Sequence, residues 1–242
     1  MRVIRIYQKQ MLAVGNTLTL DEQASHHLLR VLRLKVGAAI TLFNGNGWIY
    51  HGILASLSKN TAYVLLQSQT EQKNDSPLKL HLGQVMAKGD KMDWAVQKAI
   101  ELGVQCITPL HSERCDVELN SERQLKKQQH WQAIAINAAE QCGRFDLPIV
   151  HPVTDLAPWF SLQTSNTALV LDPDGSSSLK DIEIKSPISI LIGPEGGLSE
   201  SEINSAAAQG FTRLKLGPRI LRTETAGLAI IASLQALKGD WL

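Results

Sequence analysis

Residues 188–226 read ISILIGPEGGLSESEINSAAAQGFTRLKLGPRILRTETA and contain two successive units of apolar strand, glycine loop and helix. The run 188–192 is apolar and partly β-branched, which predicts a buried strand. Three glycines among residues 193–197 predict a backbone loop directly after it. Ser199 and Glu202 have the spacing of a capping box, so a helix is expected to begin there.

The second unit repeats this order, with a predicted strand at 211–216, a loop opening at Gly217 and a last helix at 225–237. The carboxyl ends of parallel strands meet at one edge of a sheet, where open α/β sheets bind small ligands. Either loop alone is equally compatible with an ordinary tight turn. Together they favour a ligand site, because the second loop also carries charged side chains: Arg219, Arg222 and Glu224.

Both loops resemble a known enzyme family. IGPEGGLS (192–199) and LGPRILRTETA (216–226) are similar to the SPOUT superfamily of RNA methyltransferases. In particular they resemble the ribosomal RNA small-subunit methyltransferase E family, which methylates N3 of a uridine in 16S rRNA. Three further segments resemble the same family, so the resemblance covers most of the chain: KGDKMDWAVQKAIELG (88–103), SERC (112–115) and EQCGR (140–144).

The resemblance implies an α/β fold in two parts: a PUA-like β-barrel, then a SPOUT domain with a mostly parallel sheet and a deep trefoil knot. Residue patterns independently predict short strands in 1–70, a polar linker at 71–77 and strand–helix alternation in 78–242. The knot follows from the resemblance alone, since general topology rules argue against one. Four glycines are compatible with close backbone crossings: Gly196, Gly197, Gly217 and Gly227.

Composition narrows the class of protein. The 242 residues are 44% hydrophobic and 19% charged, without an apolar run long enough to span a bilayer or an N-terminal signal block. We therefore expect a cytoplasmic protein without a membrane partner. The three cysteines lack CxxC pairing and the seven histidines lack HxxxH or HExxH spacing, so we expect free thiols and no metal.

Charge is divided unevenly along the chain. The first 70 residues carry seven Lys/Arg against Asp21 and Glu22, which favours contact with a polyanion over a merely solvated face. Helical spacing at 21–34 predicts one face toward phosphates, formed by His26, His27, Arg30 and Arg33. The segment HLLRVLR (27–33) followed by Gly37 also resembles the family's PUA-like domain, and that resemblance implies RNA contacts for Arg33 and His27.

The site residues follow from the chemistry of the implied cofactor, S-adenosylmethionine. A sulfonium nucleoside needs backbone polar groups and apolar walls, without a strong cation beside the sulfur. The predicted cofactor-binding residues are Leu171, Gly193, Pro194, Gly196, Gly197, Leu216, Gly217, Ile220, Leu221 and Thr225.

The predicted RNA-binding residues are His27, Arg30, Arg33, Lys88, Lys91, Arg114 and Arg144.

Methylation of uridine N3 requires loss of a proton and stabilisation of the resulting anion. Arg222 is predicted to stabilise that anion, and Glu195 or Glu224 to accept the proton, although Glu224 equally suits the N-terminus of the last helix. The expected partners are 16S rRNA or the small ribosomal subunit and, by resemblance, a second copy in a homodimer. Apolar residues of the last helix suit either that interface or the core: Leu228, Ile230, Ile231, Leu234 and Leu237.

Two other functions compete with this interpretation. A glycine loop between strand and helix also binds phosphate, but GxxxxGK[ST] is missing and Glu195 would repel an anion. An RNA-binding protein with a non-catalytic SPOUT-like domain would share the same basic N-terminal segment. A SPOUT enzyme with a different RNA target is a further alternative.

Overall fold

A computed structural model describes residues 3–72, 76–117 and 119–241. The chain forms two compact units: Met1–Asp75 together with Ala139–Leu147, and Ser76–Ala138 together with Pro148–Leu242. Segment Ala139–Leu147 thus groups with the N-terminal unit, whereas the sequence predicted a continuous domain from residue 78. Arg2, in the first predicted strand, and Lys73, Asn74 and Asp75 of the predicted linker lie outside the described residues.

The strands of the first unit are β1 (Arg5–Tyr7), β2 (Thr17–Thr19), β3 (Ala39–Phe43), β4 (Trp48–Ser58) and β5 (Thr61–Glu71). Those of the second unit are β6 (Leu80–Val85), β7 (Cys106–His111), β8 (Ile149–Val150), β9 (Thr154–Asp155), β10 (Thr167–Leu171), β11 (Ile188–Ile192) and β12 (Thr212–Leu214). The α-helices are α1 (Glu22–His26), α2 (Asp90–Glu101), α3 (Ser121–Cys142), α4 (Leu156–Ser161), α5 (Glu200–Ala208) and α6 (Thr223–Lys238). No described helix combines the length and apolar composition that a bilayer crossing needs.

The first unit is a five-stranded sheet in the order β1-β3-β4-β5-β2, antiparallel except for the β1–β3 pair. Alternating side chains of β4 and β5 are buried, as expected for a sheet with one core face. The Gln8 side chain links the two edge strands: its Nε2 donates to Asp21 Oδ2 at 2.6 Å, and Asp21 N donates to its Oε1 at 3.2 Å. The predicted β-sheet character of the N-terminal segment is confirmed.

Two local predictions for this unit were wrong. Strand β5 continues through Glu71, the first residue of the predicted linker, because ladder pairing with β4 satisfies the backbone even where side chains are polar. The predicted helix at 21–34 is instead α1 followed by a π-helical turn, His27–Val31. Arg33 then adopts φ of 51°, so it does not share an α-helical face with the histidines.

Segment Ala139–Leu147 contributes aromatic and polar contacts to the first unit. Phe145 packs edge-on against Phe43 with ring centroids 5.6 Å apart. Glu140 Oε1 accepts a hydrogen bond from Tyr7 N at 2.8 Å. Burial raises the pKa of Glu140 to about 7, with the negative charge of Asp21 adding to the effect and the Tyr7 bond opposing it. Above neutral pH the ionised Glu140 carboxylate therefore destabilises the folded state.

The second unit is a parallel sheet in the order β12-β10-β11-β6-β7-β8, with β9 also paired to β7. This confirms the predicted mostly parallel α/β domain. The capping box of Ser199 and Glu202 is present at the start of α5. Asn120, the residue before helix α3, accepts a backbone hydrogen bond from Arg123 N at 2.9 Å. The knot stays a prediction, since strand order and register do not report threading.

Close packing in this sheet falls at a glycine that the sequence did not single out. A Cβ on Gly83 would lie 2.5 Å from Trp159 Cη2 and Cζ2, and the Trp159 side chain is almost fully buried. The four predicted crossing glycines behave differently, because a Cβ on any of them would meet no heavy atom closer than 3.5 Å. Gly197 and Gly217 are needed instead for positive φ, at 69° and 71°.

Near Gly83, on the same sheet, lie three titratable side chains: His81, Cys106 and His151. Burial and the nearby His151 lower the pKa of His81 to about 4, and burial lowers the pKa of His151 as well. Burial raises the pKa of the Cys106 thiol to about 11. At neutral pH these three groups are therefore uncharged.

Substituting Gly83 tests the contact with Trp159. Gly83→Ala should lower the free energy of unfolding by about 1–3 kcal/mol, because the added methyl group overpacks the core. The matched control is Gly227→Ala in α6, where the nearest atoms lie 3.6 and 3.7 Å from the new Cβ. That change should be neutral or stabilise by up to about 1 kcal/mol through helix propensity. Urea unfolding measures both, and equal effects would contradict the packing argument.

Glu140→Gln tests the buried carboxylate. The pKa of Glu140 is raised in the folded state, so its contribution to stability is fully present below about pH 4.5 and is lost as pH rises through about 7. The variant should gain on the order of 3 kcal/mol relative to wild type between those pH values, while keeping an oxygen for Tyr7 N. Urea unfolding at several pH values measures this. Glu71→Gln, at an exposed position in the same unit, should leave the pH dependence unchanged.

Candidate functional site

The carboxyl ends of β10, β11 and β12 open into three loops that enclose one cavity. Strand β10 pairs in parallel with both β11 and β12, so the three loops leave the same edge of the sheet. The cavity volume is about 690 Å³. Its apolar lining includes Leu171, Ile192, Leu214, Leu216 and Leu221, and its charged lining includes Lys91, Arg114, Asp172, Asp174, Glu195, Glu200, Lys215, Arg219 and Arg222.

A buried hydrogen-bond chain holds the base of this cavity. Gln84 Nε2, at the end of β6, lies 3.0 Å from Thr223 Oγ1, the first residue of α6. Thr223 Oγ1 in turn donates to the Gly193 carbonyl at 2.5 Å. The hydroxyl accepts from one side and donates to the other, so it ties a central strand, the last helix and the first glycine loop together.

Ion pairs and backbone contacts fasten the neighbouring loops. Lys91 Nζ lies 2.8 Å from Glu195 Oε1, and Lys88 Nζ lies 2.7 Å from Asp116 Oδ2. Arg114 Nη1 donates to the Gly196 carbonyl at 3.3 Å. Burial by itself raises the pKa of Glu195, but the Lys91 hydrogen bond and backbone donors hold that pKa below its usual value. Glu195 is thus a stable anion in the wall of the cavity.

A second carboxylate lies on the opposite side of the glycine loop. Asp172 follows β10, is largely buried, and accepts from Arg213 Nε at 2.7 Å and from Asp174 N at 3.0 Å. Arg213 also reaches Glu200 Oε1 at 3.4 Å. Asp172 therefore enters the cavity wall as an ion-paired carboxylate next to apolar side chains.

Nine of the ten predicted cofactor-binding residues line the cavity, and Thr225 does not. Helix α6 begins at Thr223, two residues before its predicted start. Thr223 and Ala226 are three positions apart, face the cavity, and leave Thr225 exposed on another face. Ile220 borders the cavity but is 83% exposed.

The three predicted catalytic residues have different surroundings. Arg222 borders the cavity, is exposed, and its guanidinium has no partner among the described residues. Glu195 also borders the cavity but is paired with Lys91. Glu224 lies in the first turn of α6 outside the lining, and within the described chain its buried Oε2 has no hydrogen-bond partner.

The predicted RNA-binding residues divide between the units. Lys91 and Arg114 line the cavity, whereas Lys88 is exposed and paired with Asp116 outside the lining. Arg144 belongs to the first unit, where its guanidinium pairs with Asp146 through both Nε and Nη2.

The other three predicted RNA-binding residues lie in the first unit. His27, Arg30 and Arg33 are all exposed. Arg30 Nη2 donates to Asn60 Oδ1 at 3.3 Å. These exposed basic groups are therefore available to a polyanion, although His27 and Arg30 lie on a π-helical turn and Arg33 follows it.

Sequence reasoning missed the two residues that hold the base of the cavity. Gln84 and Thr223 are almost fully buried polar residues at the end of a strand and the start of a helix. A polar side chain at the end of an otherwise apolar strand is the one available signal for Gln84. The partner of that side chain depends on a contact across 139 residues of sequence, which spacing does not reveal.

Comparisons with known proteins agree with this geometry. A family model described as an RNA methyltransferase domain matches residues 74–235, and one described as an RNA methyltransferase PUA domain matches residues 20–67. The ribosomal RNA small subunit methyltransferase E of Buchnera aphidicola subsp. Schizaphis graminum is 36% identical, covering 99% of this chain and 98% of its own. Its counterpart from Bacillus subtilis is 32% identical, covering 96% of both chains.

Solved structures give the same assignment. A ribosomal RNA small subunit methyltransferase E from Neisseria gonorrhoeae, bound to S-adenosyl methionine, superposes with a TM-score of 0.93 at 39% identity over the full length of both chains. A methyltransferase from Legionella pneumophila with bound SAM superposes with a TM-score of 0.96 at 40% identity, covering 99% of this chain and 100% of the other. The protein therefore belongs to the ribosomal RNA small subunit methyltransferase E family.

Proposed function

We propose that this protein uses S-adenosylmethionine to methylate N3 of a specific uridine in the 16S ribosomal RNA of the small subunit. The observation that carries the proposal is the cavity at the carboxyl edge of the parallel sheet. Its walls are two glycine loops and a third loop that bears a buried carboxylate. Full-length relatives named for methylation of small-subunit ribosomal RNA, and solved relatives with the cofactor bound, support the same assignment.

The residues present fit this cofactor. A cavity of about 690 Å³ is within the range of small-molecule sites. Backbone groups of the loops at 193–197 and 216–221 can bind the adenosine, while Leu171, Ile192 and Leu214 supply apolar contacts. The lining carries side chains of both signs, four carboxylates and five cations, which suits a ligand such as S-adenosylmethionine that itself bears both charges. When bound, S-adenosylmethionine supplies an electrophilic methyl group.

Arg222 is the residue we assign to the uracil. Its guanidinium is exposed at the cavity and unpaired among the described residues, so it can bind a ring oxygen or the adjoining phosphate. Loss of the N3 proton spreads negative charge onto the flanking oxygens of the base. A planar donor at that position stabilises the anion more than the neutral base, which is the requirement for catalysis.

The two carboxylates are less suited to accept the N3 proton. Glu195 faces the cavity, but its lowered pKa makes it a weak base, and its pairing with Lys91 fastens two loops. Glu224 lies outside the cavity lining. We therefore assign proton acceptance to solvent at the open cavity mouth, and we assign Glu195 a role in holding the loops.

RNA binding is assigned to exposed basic groups of both units. His27, Arg30 and Arg33 form the basic surface of the first unit, while Lys91 and Arg114 border the cavity in the second. Phosphate contacts of this kind position RNA without reading its sequence. Because ribosomal RNA is the assigned substrate, we place the enzyme in the cytoplasm.

We also propose that the protein acts as a homodimer. Ile230, Ile231 and Leu234 are fully buried within the chain, so they serve the core rather than an interface. Exposed apolar groups of the same unit support an interface instead: Ile220 and Leu237 are 83% and 49% exposed. Light scattering on the purified protein measures the molecular mass directly.

The product identifies the reaction. Purified protein should transfer an isotope-labelled methyl group from S-adenosylmethionine to small-subunit RNA, offered both as free RNA and as assembled subunits. Mass spectrometry of the digested RNA should then detect labelled 3-methyluridine. A label on another nucleoside would contradict the N3 assignment, and RNA binding without any transfer would favour the non-catalytic alternative.

Replacing Arg222 tests its role. Arg222→Ala should lower kcat by about 10²–10³, because the developing anion loses its donor. The affinity for S-adenosylmethionine, measured by calorimetry, should change little. Arg123→Ala, an exposed arginine of α3 outside the cavity lining, is the control and should keep full activity. A loss of cofactor affinity that accounts for the whole activity change would contradict the assignment to the uracil.

A further inference from the structure

Three potential metal ligands lie together at the amino ends of neighbouring strands. His81 near the start of β6 pairs in register with Cys106, the first residue of β7, and Cys106 pairs with Ile149 of β8. His151 lies two residues beyond Ile149. Because side chains alternate along a strand, the side chains of His81, Cys106 and His151 all lie on one face of the sheet.

The distances between the donor atoms suit a single ion. One nitrogen from each imidazole and the Cys106 Sγ all lie within 4.8 Å of one another. Ordinary zinc–nitrogen and zinc–sulfur bond lengths in a tetrahedral site place ligand atoms about 3.3–3.6 Å apart. Side-chain rotations that bring the atoms together by about 1 Å would therefore complete the site.

The surroundings orient the three ligands, and the described part of the chain supplies no fourth one. The two imidazole rings have centroids 5.5 Å apart, and the Trp159 ring packs edge-on to His81 at 5.6 Å. Thr108 Oγ1 lies 2.7 Å from His81 Nε2, so one ring nitrogen is already oriented by a second group. Among the described residues, no other histidine, cysteine or carboxylate joins the cluster.

We propose that His81, Cys106 and His151 bind one Zn²⁺ ion, with water as the fourth ligand. Two imidazoles and a thiolate form a borderline-soft donor set that favours zinc over magnesium or calcium. On binding, the Cys106 thiol releases its proton to solvent and its sulfur forms the bond to the metal. This inference departs from the expectation of no metal, which considered only ligand spacing along the chain.

The position of the site points to a structural role. The ligands lie at the amino ends of β6 and β7 and beyond β8, whereas the proposed cofactor cavity lies at the carboxyl ends of β10, β11 and β12. A bound ion would cross-link three strands without contacting the cavity. Zinc should therefore raise the thermal stability of the protein and leave methyl transfer unchanged. The inference does not depend on the proposed function.

Metal binding can be measured on the full-length protein after treatment with a chelator. We expect one equivalent of Zn²⁺ to remain after gel filtration, by elemental analysis, and Tm to rise with added Zn²⁺. Co²⁺ should give visible bands of a tetrahedral ion and a near-ultraviolet thiolate-to-cobalt band. Cys106→Ser should abolish the thiolate band, and His151→Asn should abolish stoichiometric binding.

One variant beside the ligands and two control variants separate a loss of metal binding from a loss of folding. Thr108→Val removes the shorter of the two hydrogen bonds to His81 Nε2, the other being from Trp159 Nε1 at 3.5 Å, and should weaken Zn²⁺ binding by about 10–100-fold. Cys142→Ser and His111→Asn change a cysteine and a histidine outside the cluster and should bind as wild type does. Near-ultraviolet circular dichroism checks that each variant keeps its tertiary structure.

Two results would overturn the proposal. One is the absence of stoichiometric Zn²⁺ from a folded wild-type protein exposed to the metal. The other is a thiolate-to-cobalt band that survives in Cys106→Ser or disappears in Cys142→Ser. In either case the three side chains would be a packing cluster around Trp159.

Discussion

The parallel pairing of β10 with β11 on one side and β12 on the other is the constraint on which the candidate site depends. Parallel pairing forces the three following loops to leave the sheet at one edge, and their backbone groups then converge on a single cavity. The bond from Thr223 Oγ1 to the Gly193 carbonyl fixes the last helix to the first glycine loop. That bond therefore connects the loops after β11 and β12 directly at their base.

The charged side chains at this edge fall into two classes, those held in ion pairs and those that can contact a ligand. Lys91, Glu195, Asp172 and Arg213 are held in ion pairs, so their contribution is to the shape of the loops. Arg222 has no such partner among the described residues and can contact a ligand. Pairing with Lys91 keeps Glu195 ionised and lowers its pKa. Glu195 can therefore hold the loops at the cavity wall, but it is a weak proton acceptor.

The two ends of the parallel sheet also differ in chemistry. The carboxyl end carries glycine loops and charged groups around a cavity. The amino end carries half-buried His81, Cys106 and His151, which burial keeps uncharged at neutral pH. In a parallel sheet the loops at the amino ends and those at the carboxyl ends of the strands lie at opposite edges. A cross-link at the amino ends can therefore stabilise the strands without disturbing the cavity at the carboxyl ends.

Local sequence determined the glycine loops, the start of α5, the alternation of strands and helices, and nine of the ten residues predicted at the cavity. Those features depend on neighbours a few residues apart, such as Ser199 and Glu202. Only the tertiary structure decided which strands are neighbours, that segment Ala139–Leu147 groups with the first unit, and that Gln84 reaches Thr223. It also brought His81, Cys106 and His151 together. The physical reason is that strand register and long-range hydrogen bonds join residues far apart in the chain, and spacing along the sequence does not encode those pairings.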